Sequence, residues 1–395
     1  MDSDLPPSNP ASSSPATPPP PPLPPPPIVN QVTPTVLLTQ PRKTGRGWMI
    51  TAIVLAVILV FTIGSRIVGS LFEAVASAEG IGGAPHLQEV TLEHHQSSDK
   101  IAVIPVEGII TGSSRDGSGY SMVELIEDQL KLAAKDEQVK AVLLKVNSPG
   151  GEVLASDDIY NAIIKFQNEH NKPVVASMGS LAASGGYYVS APCRWIVANE
   201  LTITGSIGVI MHTYNYRGLM NKVGMRPMVY KSGKFKDMLS GEKDLENATP
   251  TQKAEIEEED AMVNKMVNET FEKFKSVIAE GRKLSNTRNE NAGEKGRELN
   301  TKWTSLADGR ILSGKEALEN GFVDEVGNWR KAVQRTEKLA GIKGADLITY
   351  QVPFNLGSLF SLFGQSQTKS IKLDLGIDLP KLGAGLYYLA PALAQ

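Results

Sequence analysis

The stretch SMGSLAASGGYY, residues 177–188, decides how the rest of the chain is interpreted. The apolar run PVVAS leads into it and is typical of a buried strand, and the residues from Tyr187 onward can form a helix. Ser184 therefore stands at a predicted strand–turn–helix junction, directly before two glycines that tolerate a sharp turn. Such a junction can present a nucleophilic hydroxyl. Taken alone, the stretch is more typical of a tightly packed turn without chemistry.

The residues around this stretch alternate apolar strands with amphipathic helices. The predicted strands start at Lys100 (KIAVIPVEGII), at Val139 (VKAVLLKVNSPGG), at Pro173 (PVVASMG) and at Arg194 (RWIVANE). The predicted helices span Ser121 to Ala134 and Ser156 to His170, the second beginning at Ser156 and two aspartates. This alternation predicts an α/β domain whose strands are largely parallel.

The second half of the domain carries one long helical pattern. Residues 251–282 form an amphipathic helix whose acidic run, 255–260, is expected to be a solvated face near the helix start. Residues 285–301 are polar and are predicted to form a loop, and residues 307–328 a short strand, a helix and a turn. Residues 341–395 are a C-terminal tail to which the pattern assigns no role.

The N-terminal region cannot join this domain. Residues 1–46 hold most of the 25 prolines and predict a disordered or polyproline II arm on the cytoplasmic side. Residues 47–65 carry no charge and follow Arg42, Lys43 and Arg46. This length is just sufficient to cross a bilayer, and we predict a signal-anchor helix at 47–72, with a cleavable signal peptide as the alternative. Positive charge before the helix places the domain outside the cytoplasm. Residues 73–99 are predicted to be a linker.

Composition excludes several classes of partner. The net charge of −3 gives no electrostatic case for nucleic acid. The single cysteine, Cys193, cannot form an intrachain disulfide and lies in an apolar run typical of a buried residue. The five histidines are scattered without the spacing of metal ligands. We therefore expect no cofactor and no metal.

A serine nucleophile needs a base, and no histidine lies in a suitable loop. Lys231, Lys234 and Lys236 cluster in YKSGKFKDM and are the candidates left, although such a cluster is also typical of a solvated strand edge. A lysine acts as a base only when neutral, which requires a pKa about three units below its ordinary value of about 10.4. The turn NSPGG, residues 147–151, could bind an oxyanion through backbone N–H groups, and the hydroxyls of Thr204 and Ser206 could orient the amine.

The order of these motifs resembles the protease IV (signal peptide peptidase A) family over residues 101–340. The motifs are NSPGG, SMGSLAASGGYY, TITGSIGVI, YKSGKFKDM and ADGRILSGKEALENGFVDEVG. The resemblance implies a Clp-protease/crotonase-like fold of repeated ββα units for residues 100–340 and a Ser-Lys dyad serine endopeptidase. It places the nucleophile on Ser184, the general base on Lys236, the serine that orients the lysine on Ser206 and the oxyanion glycine on Gly151. Gly185 is a possible second donor.

The resemblance also implies partners and a location. One catalytic domain is typical of the short form of the family, which forms a homo-oligomeric ring whose active sites are shared between protomers. The expected enzyme is anchored in the cell membrane by one helix, with its catalytic domain outside the cytoplasm, and hydrolyses cleaved signal peptides or other membrane-released peptides. Two features depart from the family pattern: the proline-rich arm, and Cys193-Arg194 where an acidic residue is common.

Two other classes of function remain as alternatives. A crotonase-type acyl-CoA hydratase or isomerase would use the same fold and the same glycine N–H groups, but the anchor and the serine before Gly-Gly count against it. A non-catalytic membrane scaffold would need the dyad to be vestigial, whereas Ser184, Ser206 and Lys236 are all present.

Overall fold

The computed structural model describes residues 51–63, 65–66, 87–113, 120–353 and 385–390. The chain divides into two compact units, Met1–Ile81 and Gly82–Gln395. In the first unit residues 51–63 and 65–66 are helical. None of the helices in the described part of the chain has the length and apolar character needed to cross a membrane, so the predicted transmembrane helix is not supported there. The proline-rich arm and residues 47–50, 64 and 67–72 of the predicted span lie outside the described residues.

The second unit is built on a nine-stranded sheet. Its strands are β1 (Gln88–Glu93), β2 (Lys100–Glu107), β3 (Val139–Ser148), β5 (Val174–Ala182), β6 (Trp195–Ala198), β7 (Ile203–Gly205), β9 (Ile311–Ser313), β10 (Glu325–Val326) and β11 (Asp346–Gln351). The main path runs β1-β11-β2-β3-β5-β6-β10, while β7 pairs with β5 and β9. Every pair from β11 to β10 along that path is parallel, which confirms the predicted α/β class.

Side chains on the central strands alternate between two buried layers. In β2, Ala102 and Ile104 face one apolar cluster, whereas Ile101 and Val103 face another. Both layers are needed because successive strand residues point to opposite faces of a sheet. A strand buried on both faces reads as a continuous apolar run, which is the pattern that predicted these parallel strands.

Seven α-helices and one 3₁₀ helix surround the sheet in the described part of this unit. They are α1 (Met122–Lys135), α2 (Val153–His170), α3 (Gly185–Ser190), α4 (Arg217–Lys222), α5 (Pro250–Asn291), a 3₁₀ turn (Trp303–Leu306), α6 (Gly314–Glu319) and α7 (Trp329–Ala340). Capping boxes begin α1 at Ser121 and α5 at Thr249. The apolar residues of α7 pack on the face opposite to α1, α2, α3 and α5.

Three predicted boundaries were wrong. Residues 88–93, expected within the linker, form β1 and pair with β11 at the sheet edge. The second helix begins at Val153 rather than Ser156, whose hydroxyl donates to the Glu152 carbonyl oxygen inside the first turn. Helix α5 continues to Asn291 through the predicted loop, because Ser285 and Asn289 are buried and hydrogen-bond to the backbone of Cys193 and Arg194.

Helix α5 is fixed to the sheet by a buried ion pair. Arg282 donates to the Asp324 carboxylate at 2.5 Å and to the Cys193 carbonyl oxygen at 3.1 Å, and both side chains of the pair are almost completely buried. Asp324 also accepts from the Ile196 N–H of β6. Cys193 is buried as predicted, and burial raises the pKa of its thiol.

Three further strands form a small second sheet in the order β4-β12-β8. They are β4 (Gly150–Glu152), β8 (Ile210–Met211) and β12 (Leu386–Leu389), and both contacts of β12 are antiparallel. Strand β12 comes from the C-terminal tail, which the sequence left without a role. This sheet lies at the ends of the strands that carry the candidate residues.

Candidate active site

Three of the sequence-predicted site residues meet at one edge of the main sheet. Gly151 follows β3, Ser184 follows β5, and Ser206 follows β7. Strand β5 is parallel to both β3 and β7, so the carboxyl ends of these strands lie side by side. The geometry of a parallel sheet thus gathers residues that are up to 55 positions apart in the sequence.

Ser184 occupies a strained backbone position between β5 and α3. Its φ of 54° and ψ of −116° are rare for a residue with a side chain. Its N–H donates to the Gly205 carbonyl oxygen at 2.8 Å, and its carbonyl oxygen accepts from the Tyr188 N–H at 2.8 Å. These bonds fix the turn from both sides. The conformation confirms the predicted sharp turn after β5.

The Ser184 hydroxyl takes no part in the hydrogen bonds that fix this turn. The residue is completely buried, and its Oγ has no hydrogen-bond partner among the described residues. A buried unpaired hydroxyl destabilises a fold by about 1–3 kcal/mol, so a residue kept in that state needs an explanation. Nearby buried serines are paired: Ser190 donates to the Gly186 carbonyl oxygen and Ser148 to the Gly108 carbonyl oxygen.

The glycines of NSPGG and SGG pack directly against each other. A Cβ added to Gly185 would lie 3.0 Å from the Gly150 Cα and 3.1 Å from the Gly151 nitrogen. A Cβ added to Gly150, whose φ is 98°, would lie 2.6 Å from the Gly185 nitrogen. One added to Gly151 would lie 1.9 Å from the Ile110 carbonyl oxygen. Only residues without side chains fit here, so the two predicted oxyanion donors lie close to each other beside Ser184.

Ser206 is held next to the nucleophile candidate through its neighbour. Gly205 accepts the Ser184 N–H, and Ser206 donates its own N–H to the Arg310 carbonyl oxygen at 2.7 Å. Ser206 has a φ of 49° and is 8% exposed. Thr204, the other hydroxyl considered, donates to the Ala182 carbonyl oxygen of β5 and is therefore engaged in the framework.

The lysine segment is the part of the predicted site that the structure does not bring together with Ser184. Residues 231–240 form turns rather than a strand, and Lys236 is exposed. Because the Ser184 hydroxyl has no partner, no hydrogen bond joins it to the Lys236 amine in this chain. Within the described residues Lys236 also has no ion-pair partner, unlike the two other candidate lysines.

Those other lysines are engaged by the acidic run of α5. Lys231 contacts Asp237 at 2.8 Å and Glu255 at 2.9 Å, and Lys234 contacts Glu258. The hydrogen bonds from Lys231 to Asp237 and Glu255 raise the pKa of its amine, which disfavours the neutral form that a base requires. The prediction of a merely solvated acidic face was therefore incomplete, since the run also fixes the lysine segment.

Three carboxylates of this region converge closely enough to suggest a metal site. Oxygen atoms of Asp237, Glu255 and Glu259 lie within 4.8 Å of one another. The amine of Lys243 contacts both Asp237 and Glu259, and Lys231 contacts the remaining carboxylate. Two ammonium groups thus balance two of the three negative charges, and the contacts of the cluster hold residues 231–243 against α5.

Sequence reasoning missed one element of the site, the C-terminal strand β12. It pairs with β4 in a register that places Tyr388 opposite Gly151. The four residues LYYL give too short an apolar run to distinguish a strand from a turn of helix, and nothing in them indicates a partner strand.

Comparison with protein-family models identifies two matches. The model for peptidase family S49 matches residues 166–343, and the model for Clp protease matches residues 106–197. The first range includes Ser184, Ser206 and Lys236, and the second includes Gly151 and Ser184. The second match confirms the predicted Clp-protease-like α/β fold.

Comparison with curated proteins identifies one relative matched over most of its length and one much longer relative. A putative signal peptide peptidase SppA of Enterococcus faecium is 34% identical over 78% of this chain and 84% of its own length. Protease 4 of Haemophilus influenzae is also 34% identical, over 63% of this chain and 36% of that longer protein. Among solved structures, a membrane-bound stomatin-specific protease in complex with a substrate peptide covers 67% of this chain at 15% identity, with a TM-score of 0.35.

Proposed function

The chain belongs to peptidase family S49 and is a serine endopeptidase, and we propose that Ser184 is its nucleophile and Lys236 its general base. The observation that carries the first assignment is the Ser184 hydroxyl, which is buried and has no hydrogen-bond partner in the part of the chain that the structure describes; the residue has a positive φ and lies beside glycines 150, 151 and 185. A nucleophile must keep its hydroxyl available for a base and a carbonyl carbon, whereas a structural serine would be hydrogen-bonded.

The proposed reaction is acyl transfer in two steps. The Ser184 Oγ attacks the scissile carbonyl carbon while neutral Lys236 accepts the hydroxyl proton. The N–H groups of Gly151 and Gly185 stabilise the oxyanion of the tetrahedral intermediate. The C–N bond then breaks, and Lys236 returns the proton to the leaving amine. Lys236 then deprotonates a water molecule, which attacks the acyl carbonyl carbon; the ester C–O bond breaks as Lys236 returns the proton to the Ser184 Oγ.

Lys236 is favoured over the neighbouring lysines as the base because, within the described residues, no carboxylate pairs with its amine. Lys231 and Lys234 are tied to carboxylates of the turn and of α5, which stabilise their charged forms. Lys236 extends from the same fixed segment without such a partner. We propose that Ser206, which adjoins the Gly205 carbonyl that accepts the Ser184 N–H, orients the amine.

We propose that the lysine is supplied across an interface between copies of this chain. Within one chain no hydrogen bond joins Ser184 to Lys236, and a site shared between two copies would account for this. The segment that precedes Lys236 in the sequence carries exposed apolar side chains that a second copy could cover; they are Leu219, Val223, Met228 and Tyr230. Mixing the inactive variants Ser184→Ala and Lys236→Ala should restore part of the activity, because mixed assemblies contain sites with both groups. A mixture that stays inactive although the subunits exchange would contradict sharing.

The proposed substrates are cleaved signal peptides or other peptides released in the membrane. The catalytic unit would lie outside the cytoplasm, anchored by residues 47–72. Support comes from the charge-free run at 47–65 and from apolar side chains of the helical residues, such as Leu55 and Phe61, which are 61% and 78% exposed. Replacing residues 53–61 by a polar sequence should release the protein from membranes under alkaline extraction. Continued membrane association of that variant would exclude this anchor.

The dyad itself is tested by covalent labelling and peptide hydrolysis. A fluorophosphonate probe should label Ser184 in the unmodified chain and should not label Ser184→Ala. Lys236→Ala should reduce both labelling and hydrolysis by at least about a thousandfold, whereas Lys234→Ala, which removes an exposed ion pair, should leave both within about twofold. Full activity of Ser184→Ala or of Lys236→Ala would overturn the respective assignment. Bound acyl-CoA without hydrolysis would favour the crotonase-type alternative.

A further inference from the structure

Two arginines lie next to each other at the edge of the main sheet that is opposite to Ser184. Arg194 directly precedes β6, and its N–H donates to the carbonyl oxygen of Val174, the first residue of β5. Arg288 belongs to the last turn of α5. Ser184 follows the other end of β5, whose 9 residues span about 30 Å. The two arginines therefore lie too far from Ser184 to act in the proposed reaction.

Among the described residues, both guanidinium groups contact only neutral partners. The Arg194 Nε donates to the Asn289 Oδ1 at 2.9 Å, and the Arg194 Nη2 donates to the Arg288 carbonyl oxygen at 3.2 Å. The Arg288 Nη2 donates to the Oδ1 of Asn168, near the end of α2. Asn289 also donates to the Arg194 carbonyl oxygen, which fixes its amide. No carboxylate contributes to the pKa of either arginine.

In the described part of the chain, at least one nitrogen of each guanidinium group makes no hydrogen bond. The Arg288 Nη1 is buried without a partner, whereas the Arg194 Nη1 belongs to a partly exposed residue. Burial lowers the pKa of both groups, and the charge of Arg288 lowers the pKa of Arg194 further. Partly buried charged donors without an acceptor are unfavourable, so this pair needs an explanation.

The ends of helices neutralise only part of this charge. The carboxyl end of a helix carries roughly half a negative charge, so the ends of α2 and α5 offset about one of the two positive charges. The acidic residues Glu169 and Glu290 are adjacent in sequence to this region, but both are exposed and pair with neither arginine. Glu169 instead lies 4.0 Å from His170. About one positive charge thus remains for a ligand.

We propose that Arg194 and Arg288 bind a phosphate group, either free or in a lipid headgroup. A planar carboxylate accepts one guanidinium fork, whereas a tetrahedral phosphate offers three or four oxygens to two forks. The amide oxygen of Asn168, an exposed residue, occupies the position of one acceptor, and the phosphate replaces it. The site does not depend on the roles proposed for Ser184 and Lys236.

Binding is measured on the full chain in detergent, by calorimetric titration with inorganic phosphate at constant ionic strength. Arg194→Gln and Arg288→Gln should each weaken phosphate binding at least about tenfold, because each removes charge-assisted hydrogen bonds. The matched control is Lys265→Gln, which removes the same charge from α5 about 35 Å away along the helix. It should change the Kd by less than about twofold. Unchanged phosphate binding by both arginine variants would overturn the site.

Asn168 offers a test that leaves both arginines in place. At a phosphate concentration tenfold above the Kd, the Tm of the unmodified chain should rise by about 3 °C. Asn168→Asp places a carboxylate beside the Arg288 Nη2, so it should raise the Tm without phosphate and abolish the further rise with phosphate. Asn168→Ala removes only the neutral acceptor and should keep the Kd within about threefold. Since Asn168 is exposed, both variants should fold. An equal gain from phosphate in Asn168→Asp would show that phosphate does not lie at Arg288.

Two further ligands identify the source and the chemistry of the bound group. Dihexanoyl phosphatidic acid carries the phosphate on a lipid headgroup, and acetate carries a carboxylate. Tighter binding of the lipid than of inorganic phosphate, lost in Arg288→Gln, would support a headgroup, whereas inorganic phosphate bound at least as tightly would support a free phosphate. Acetate bound as tightly as either phosphate compound, or no binding of either compound by the unmodified chain, would overturn the proposal.

Discussion

Replacing Ser184 by alanine should stabilise the fold while abolishing catalysis. The buried Oγ of Ser184 has no hydrogen-bond partner among the residues that the structure describes, and its removal relieves the unfavourable burial of a polar atom, which amounts to about 1–3 kcal/mol. The strain at φ 54° remains, because alanine carries a Cβ as serine does. A small loss of packing opposes the gain. We expect a net increase of about 1 kcal/mol in the free energy of unfolding, or about 2–4 °C in Tm for a unit of this size.

The matched control is Ser190→Ala, which changes a completely buried serine at the end of α3. Its hydroxyl donates to the Gly186 carbonyl oxygen at 2.8 Å, so its removal should lower the free energy of unfolding by about 0.5–1.5 kcal/mol and leave hydrolysis within a few-fold. Thermal unfolding monitored by tryptophan fluorescence would measure both variants, together with hydrolysis of a fluorogenic peptide. A Ser184→Ala variant destabilised as much as Ser190→Ala would refute the reasoning, because it would mean that the Ser184 hydroxyl is paired in solution.

Three further variants test other parts of the structure. Arg282→Met leaves Asp324 buried without its partner and should lower the free energy of unfolding by about 3–5 kcal/mol, whereas the exposed neighbour Lys283→Met should change it by less than about 0.5 kcal/mol in denaturant titrations. Gly151→Ala, whose Cβ would lie 1.9 Å from the Ile110 carbonyl oxygen, should lower kcat at least a hundredfold, whereas Gly218→Ala, which has open space around it, should retain activity. Hydrogen bonds from the His95 N–H and from the His94 ring lower the pKa of Asp346, so the stabilisation by its carboxylate is complete above the ordinary pKa of an aspartate and is lost as the pH falls through the lower folded value. Asp346→Asn should therefore flatten the decrease of Tm at acidic pH. An unchanged decrease of Tm at acidic pH would count against the contact.

The parallel core was predictable because local patterns of apolar residues in the sequence indicate its strands and helices. Strands β2, β3 and β5 are buried on both faces and give continuous apolar runs, and the helices between them have clear periodicity. The end of α5 was not predictable in this way. Ser285 and Asn289 look like loop residues, and only the three-dimensional structure supplies the backbone groups of Cys193 and Arg194 that they bind.

The candidate site was predictable to different degrees for its different parts. Gly151, Ser184 and Ser206 follow three strand ends, and adjacent parallel strands must bring such ends together. The position of Lys236 depends on turns whose contacts are made by long charged side chains, and no periodic pattern describes them. Strand β12 is separated from its partner Gly151 by more than 200 residues, and the pairing of a short strand over that distance leaves no local signal in the sequence.

Helix α5 is so long that a small rotation at its sheet end displaces the other end, which contacts the lysine segment. Arg282 fixes it near one end, and Glu255 holds Lys231 near the other, about 40 Å away along the helix axis. A rotation of only about 2° at the Arg282 end would displace the far end by more than 1 Å, and a misplacement of about 1 Å at a reacting group can cost a hundredfold in rate. Substitutions in the sheet that tilt this helix should therefore reduce catalysis before they unfold the protein.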